Sequence, residues 1–226
     1  MRHLKGPALM VGAVIALLAA VSLSSAFAAS PLPQLLPIEE NKRFTDRNDG
    51  TTKLQWETAS GTLIECRSVT SSGIQETDTL GNFHYSFEGC KFGAFKCTSA
   101  GDREEEILAL GSFHYVYDTL GGSEKVAALL LFAPSTFECT AIERVELTGR
   151  LLCLVLRPLE ETRTHLIHCI RGPGRGEQAE TKWWNDNLET QTASLEISIN
   201  GGARERISLL LLEEIRFQRA NAFMND

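Results

Sequence analysis

The chain has 226 residues, with 29 acidic and 22 basic side chains, so its formal net charge at pH 7 is −7. A surface with this excess of carboxylates repels nucleic acid and anionic lipid, and we expect neither as a partner. The length suits one domain with its own core and is short for two.

The first 28 residues have the three parts of a secretory signal peptide. Basic residues stand at positions 2 and 5, an uncharged apolar run covers residues 8–21, and the small-residue sequence AFA at 26–28 is a cleavage site. We predict cleavage after Ala28, a secreted or cell-envelope location, and no stable membrane insertion of the cleaved chain. A retained anchor is the alternative, since residues 7–29 are about long enough to cross a bilayer.

After the signal peptide, the sequence divides into an arm and a domain. Residues 29–50 contain three prolines, which block regular hydrogen bonding, and we predict an extended N-terminal arm there. Residues 51–226 are predicted to form a single β-rich domain. Its short runs of alternating apolar and polar residues, separated by Gly, Ser, Asn and Asp, predict an all-β fold, either an antiparallel β-sandwich or a barrel-like domain.

Two apolar segments fit either a helix or a strand. They are SEKVAALLLFA from Ser123 and ISLLLLEEIRF from Ile207. We predict strands for both, because the neighbouring segments have strand-like alternation. The sequence SLEISI-NGG-ARERISL, from residue 194, predicts a hairpin, since Asn and Gly tolerate the positive φ angles of a tight turn.

Six cysteines follow the signal peptide, and an exported chain can keep them as disulfides. Their even number favours complete pairing, although the sequence does not choose among the possible connectivities. We predict Cys90–Cys97, because the loop between them is short and contains glycine, and we pair Cys66 with Cys139. The spacings lack the close CxxC pairs of zinc sites, so no metal or other cofactor is expected.

Two octets, LGNFHYSF at 80–87 and LGSFHYVY at 110–117, are nearly identical. On a strand, their alternating aromatic residues face one side, which we predict to be the core, while His84 and His114 face the other. If the two strands are neighbours in register, these histidines become a weak candidate metal pair that still needs a third ligand. The similarity stops at the octets, which excludes a repeat architecture.

Trp183 and Trp184, in KWWND, are the candidates for ligand stacking. Adjacent residues of a strand face opposite sides, so one indole is expected in the core and the other is available to stack on a sugar or an apolar ligand. The alternative is that both rings pack beneath a loop.

No catalytic residue is predicted. The chain lacks the GxSxG motif of a serine hydrolase, and disulfide-bonded cysteines are not nucleophiles. A secreted hydrolase whose catalytic carboxylates are far apart in sequence stays an alternative, as does a purely structural surface protein.

Seven short motifs follow one another along the chain: TLIEC (62–66), FEGC (87–90), CTSAG (97–101), LGSFHY (110–115), FAPSTFEC (132–139), VELTG (145–149) and SINGG (198–202). In this order the chain resembles an uncharacterised, multi-paralogue family of secreted β-rich proteins of actinobacteria, which has no assigned activity. The resemblance implies an exported all-β domain, carries over no catalytic residue and groups the first four cysteines as a shared set. Cys153 and Cys169 depart from the family pattern, and we therefore pair them with each other.

The sequence thus predicts a secreted, non-enzymatic binding module of the extracellular space or cell envelope. An extracellular glycan or a cell-envelope component is the expected class of partner.

Overall fold

The structure is a computed structural model that describes residues 32–37, 42–48, 53–119, 125–140, 142–185 and 189–224. The predicted signal peptide lies outside these ranges. Within them the chain forms sixteen strands: β1 (Gln34–Leu36), β2 (Lys42–Asn48), β3 (Leu54–Thr58), β4 (Leu63–Cys66), β5 (Ser68–Gln75), β6 (Leu80–Glu88), β7 (Lys91–Phe92), β8 (Phe95–Ser99), β9 (Glu106–Asp118), β10 (Lys125–Cys139), β11 (Ile142–Leu156), β12 (Thr162–Cys169), β13 (Lys182–Trp184), β14 (Thr190–Thr192), β15 (Leu195–Ile199) and β16 (Glu205–Met224). The predicted all-β class is confirmed. No helix in the described part of the chain is long and apolar enough to cross a membrane.

Eight strands close into a ring, here called the first ring. Its order is β9, β10, β11, β12, β16, β2, β5 and β6, and β6 pairs back to β9; every pairing is antiparallel. Alternate residues of each strand point inward. The inward positions carry large aromatic side chains that are all at most 4 % exposed, namely Phe44, Phe83, Tyr85, Phe113 and Tyr115. The predicted aromatic core stripes of the two octets are therefore confirmed.

A second ring uses the remaining length of the longest strands. Its order is β3, β4, β7, β8, β10, β11, β15 and β16, and β16 pairs back to β3, again with antiparallel pairing only. Trp56 is fully buried here and packs edge-on against Phe87 and Phe137, with centroid distances of 4.8 Å and 6.2 Å. The two rings share β10, β11 and β16, so one hydrophobic core runs through both.

The shared strands change partners at irregular residues. In β10 the register shifts between Phe132 and Ser135, a bulge that contains Pro134, which has no backbone N–H to donate to a ladder. In β11 the change falls at Gly149, whose φ of 117° suits glycine and whose backbone lies against Ser194 O. The sequence thus marks the junction of the rings with a proline and a glycine.

The predicted arm at residues 29–50 is wrong in its described part. β2 lies inside the first ring between β5 and β16, and β1 pairs with the end of β16. The reason is that β2 turns polar side chains inward: Lys42 and Asp46 are 6 % and 7 % exposed, next to buried Phe44. Because β2 has polar side chains on both of its faces, its sequence lacks the alternation of apolar and polar residues that predicts a half-buried strand. The domain therefore begins before residue 51.

Both ambiguous apolar segments are strands, as predicted, within their described residues. They form β10 and β16. The predicted hairpin joins β15 to β16, and Gly202 N donates to Ile199 O at 2.9 Å across the turn. Asn200 and Gly201 have φ angles of 52° and 70°, which a two-residue turn of this hand requires.

The disulfides correct two of the three predicted pairs. The structure joins Cys66 to Cys90, Cys97 to Cys139, and Cys153 to Cys169, and no described cysteine is free. Cys66–Cys139 and Cys90–Cys97 are therefore wrong, and only Cys153–Cys169 was paired as expected. Three buried disulfides are typical of a protein that folds in an oxidising compartment.

Strand register explains the observed pairs. Four cysteines form a row across the ends of β4, β7, β8 and β10, here called the four-cysteine row: Cys66, Cys90, Cys97 and Cys139. Cys90 and Cys97 do face each other, but Cys97 N donates to Cys90 O at 3.0 Å. Residues that face each other in a hydrogen-bonded pair of antiparallel strands have widely spaced Cα atoms. The disulfide-bonded cysteines, in contrast, have Cα atoms only 4.0 Å and 3.9 Å apart. Cys90 and Cys97 therefore each form a disulfide with the cysteine on their other side, Cys90 with Cys66 of β4 and Cys97 with Cys139 of β10.

Candidate binding site

The two octets are register partners in β6 and β9. Gly81 lies opposite Phe113 and Phe83 opposite Gly111, so each octet supplies a glycine to the other's phenylalanine. His84 lies opposite Leu110, whereas His114 lies opposite Leu80, four positions away. Measured along the strands, the two histidines are therefore about 13 Å apart. They do not form a metal pair, and no group of three metal-ligating side chains occurs among the described residues.

The outer face of β9, β10 and β11 is also apolar. Here the run VAALLLF of β10 sends alternate residues to both faces, so that Val126 enters the main core while Ala127 and Leu129 form a second cluster outside. Leu152 and Leu154 of β11 complete this cluster. Three residues of the chain between β12 and β15 pack with this cluster, namely Ile170, Trp183 and Ala193. This arrangement covers apolar surface that would otherwise face water.

The two adjacent tryptophans point to opposite sides of β13. Trp184 packs against the main core, whereas Trp183 packs against the outer cluster. Strand pairing fixes both, because Trp183 lies opposite Asp118 of β9 and Trp184 opposite Tyr117. Each indole is half-buried, and Trp183 leaves part of its ring at the surface.

Trp183 lines a groove of about 260 Å³, here called the Trp183 groove. Its floor consists of apolar side chains of β9 and β10 (Val116, Leu129 and Leu131), with Leu32 at its edge. Its polar side chains are His114, Arg150 and Asn185. The Asn185 amide is held by Glu189, since Nδ2 donates to Oε2 at 3.0 Å and Oδ1 accepts from Glu189 N at 2.9 Å. The groove therefore offers an aromatic ring, an apolar floor and positioned hydrogen-bonding groups.

A second groove of about 290 Å³ lies at the junction of the rings, between β11 and β16. We call it the seam groove. β12 and β15 each pair with both β11 and β16, but along different stretches of these strands. A gap in the sheet is therefore left between β12 and β15. In this gap the side-chain amide of Gln178 takes the place of a neighbouring strand. Its Nε2 donates a hydrogen bond to Leu209 O and its Oε1 accepts one from Leu209 N, both at 3.0 Å. Arg150 lines this groove as well as the Trp183 groove.

Charge differs between the two grooves. Arg206, Glu177 and Glu180 line the seam groove, where burial raises the pKa of Glu180 and a hydrogen bond to Asp118 adds to the effect. No carboxylate is among the described residues that line the Trp183 groove. Its cation, Arg150, is exposed, and no carboxylate of the described chain lies within ion-pair distance of it.

Comparison with protein-family models, curated proteins and solved structures finds no match to this chain.

Two carboxyl pairs are brought together from distant parts of the sequence, but neither has the spacing of a glycosidase. In each pair the two side chains lie close enough to interact: the charge of Asp46 raises the pKa of Glu213, and that of Asp118 raises the pKa of Glu180, in both cases in addition to the larger effect of burial. Glycosidases hold their two carboxyl groups about 5 Å or more apart, so that a sugar or a water fits between them. Neither of these two pairs therefore supports the hydrolase alternative.

The first of these pairs is sealed inside the first ring. Ser71 Oγ donates a short hydrogen bond to Asp46, and Tyr85 Oη donates to Glu213 Oε1 at 2.5 Å. Burial is the main cause that raises the pKa of Asp46 to about 7 and the pKa of Glu213 well above its usual range. The cavity beside them, about 10 Å³, is too small for anything larger than a water molecule. This cluster belongs to the core.

The groove that contains His84 has two serines, but in the part of the chain that the structure describes neither is hydrogen-bonded to the histidine. It measures about 330 Å³ and also holds Ser99 and Ser135. Ser99 Oγ accepts a hydrogen bond from Leu108 N at 3.0 Å, and Ser135 Oγ is buried without a partner among the described atoms. No hydrogen bond links His84 to either serine in the described structure.

Sequence reasoning singled out Trp183 and His114 for separate reasons, and the fold places both in one groove. It missed Arg150 and Asn185. Arg150 stands opposite Leu131 in the β10–β11 register, and Asn185 follows β13. Nothing in the local sequence distinguishes them from other surface polar residues, because their role depends on strands that meet only in the folded chain.

Proposed function

We propose that this chain is an exported, non-enzymatic binding module that takes a carbohydrate in the Trp183 groove. The observation that carries the proposal is the partly exposed Trp183 ring beside His114, Arg150 and Asn185 in one groove. A sugar ring has an apolar C–H face, which stacks on an indole, and a rim of hydroxyl groups, which bonds to fixed polar side chains. The groove presents both kinds of contact.

Three disulfides, the predicted signal peptide and the resemblance to a secreted actinobacterial family all favour an extracellular or cell-envelope location. Glycans are abundant there, and the acidic chain makes nucleic acid a poor alternative. Mass measurement of the secreted protein tests this part of the proposal. We expect a chain that begins at Ala29, and a retained Met1 would contradict cleavage.

A glycan array, followed by titration of tryptophan fluorescence with each glycan that binds, tests the ligand. We expect binding to perturb the emission, because Trp183 is half-buried and lines the groove, whereas Trp56 is fully buried. Trp183→Ala should weaken binding about tenfold or more, as for a central aromatic contact.

The matched control is Leu110→Ala, which removes an exposed apolar side chain from the groove of His84. This variant should bind like the parent chain, and thermal melts should show that both variants are folded. Unchanged binding by Trp183→Ala would place the ligand elsewhere. An array without any ligand would favour the purely structural surface protein instead.

A further inference from the structure

We propose that the sugar in the Trp183 groove is acidic, with a carboxylate or sulfate group held by Arg150 while its ring stacks on Trp183. This inference rests on the proposed carbohydrate-binding function and adds the chemical class of the ligand.

The first argument is the charge of the groove. His114 and Arg150 are the only ionisable side chains that line it among the described residues, and neither Asp nor Glu is present. The chain as a whole has 29 acidic side chains against 22 basic ones. Among the described lining residues Arg150 is thus a cation without a carboxylate beside it, an arrangement that favours an anionic group over a neutral one.

The second argument is the state of the Arg150 side chain. Three arginines of the described chain form ion pairs: Arg144 with Glu146 at 3.0 Å, Arg157 with Glu160 and Arg171 with Glu57. Arg150 has no such partner in the described structure. Its backbone is fixed, because its N–H donates to Ser194 O at 2.8 Å. A planar guanidinium on a fixed strand matches the two oxygens of a carboxylate or sulfate.

The third argument concerns position. In the register of β10 and β11, Arg150 lies opposite Leu131, which belongs to the groove floor. The guanidinium therefore borders the apolar floor that a stacked sugar would cover. Arg150 also lines the seam groove. A second sugar unit linked to the first can continue past Arg150 into the seam groove, so an oligosaccharide should bind better than a monosaccharide.

The seam groove itself does not set the acid preference. It contains Arg206, but Glu177 and Glu180 line it too. The charge of the arginine and the charges of the two carboxyl groups offset each other there. This groove therefore suits a neutral sugar unit that is rich in hydroxyl groups. The preference for an acidic group is therefore located at Arg150.

Isothermal titration with three probes tests the proposal: trigalacturonic acid, galactotriose and a sulfated galactose trisaccharide. We expect at least one acidic probe to bind about tenfold more tightly than galactotriose, which corresponds to one charge-assisted contact. Arg150→Gln should bring the ratio of acidic to neutral affinity close to one, and Arg150→Lys should retain part of it. The control Arg144→Gln, on the same strand, should leave the ratio unchanged.

The outcomes separate the two proposals. Equal affinities for acidic and neutral probes, together with loss of binding in Trp183→Ala, overturn the acidic ligand and retain the carbohydrate site. An acid preference that survives Arg150→Gln also overturns the role of Arg150. Binding that is indifferent to Trp183→Ala, or no binding of any probe, overturns the carbohydrate site and the acidic ligand with it.

Discussion

Phe83 covers Gly111 across the pair of strands β6 and β9. A Cβ atom on Gly111 would overlap the Phe83 ring and the carbonyl oxygen of Leu131, and Phe113 covers Gly81 in the same way. Both glycines lie within strands and have ordinary φ angles, so the restriction is one of space. The two octets resemble each other because each supplies the glycine that the other's ring requires.

We expect Gly111→Ala to lower the free energy of unfolding by about 1–3 kcal/mol, because overpacking forces the ring or the strand to move. Urea denaturation measures the change. Ser112→Ala, at the next, outward-facing position, is the control and should have an effect of about 0.5 kcal/mol or less. In a double-mutant cycle, Phe83→Ala should relieve part of the cost of Gly111→Ala, because the overlap with the Leu131 carbonyl oxygen remains. Additive effects would mean that the ring does not limit this position.

Peptide mapping of the unreduced protein checks the four-cysteine row. Trypsin releases residues 54–67 and 68–91, which the Cys66–Cys90 bond should hold together, and 97–103 and 126–144, which the Cys97–Cys139 bond should link. Reduction should separate each pair. Recovery of 68–91 joined to 97–103 would instead support the pairing that the sequence suggested.

The buried pair of Asp46 and Glu213 should make stability fall as the pH rises. Both carboxyl groups have raised pKa values in the folded chain, so folding favours the protonated forms. For Asp46 the stabilisation is complete below about pH 4 and is lost as the pH passes through about 7. Glu213 extends the loss to higher pH.

We therefore expect Asp46→Asn to be more stable than the parent chain at pH 8, by on the order of a few kcal/mol, and similar to it near pH 4. An asparagine oxygen can still accept the hydrogen bond from Ser71. Denaturant titrations at three pH values measure the difference. Asp102→Asn changes an exposed carboxylate and serves as the control. A constant difference across this range would mean that Asp46 is ionised throughout.

Local patterns sufficed for the strands that have one apolar face. β6 and the β15–β16 turn were predicted, because each depends on residues that are close together in the sequence. These are the alternating Phe83 and Tyr85 in β6, and the asparagine and glycine in the turn. β2 was missed because Asp46 is held inside by Ser71 and Glu213, which lie far away in the chain. Closure of the rings depends on the same kind of distant pairing.

The same distinction holds for the cysteines and the site. Cys90 and Cys97 are close in sequence and do face each other, but the choice of partner depends on where β4 and β10 lie. Opposite orientations of Trp183 and Trp184 follow from strand geometry alone, and they were predicted. That Arg150 borders the same groove depends on the order of strands in the sheet.

β16 pairs with five other strands, β1, β2, β3, β12 and β15, and it completes both rings. The ribosome makes it after all of these partners, so neither ring can close while the chain is still being synthesised up to that point. Until then β2, β3, β12 and β15 have open edges that invite pairing with other chains. Both rings are therefore expected to close only after β16 has been released, and the open edges must be kept from pairing with other chains until then.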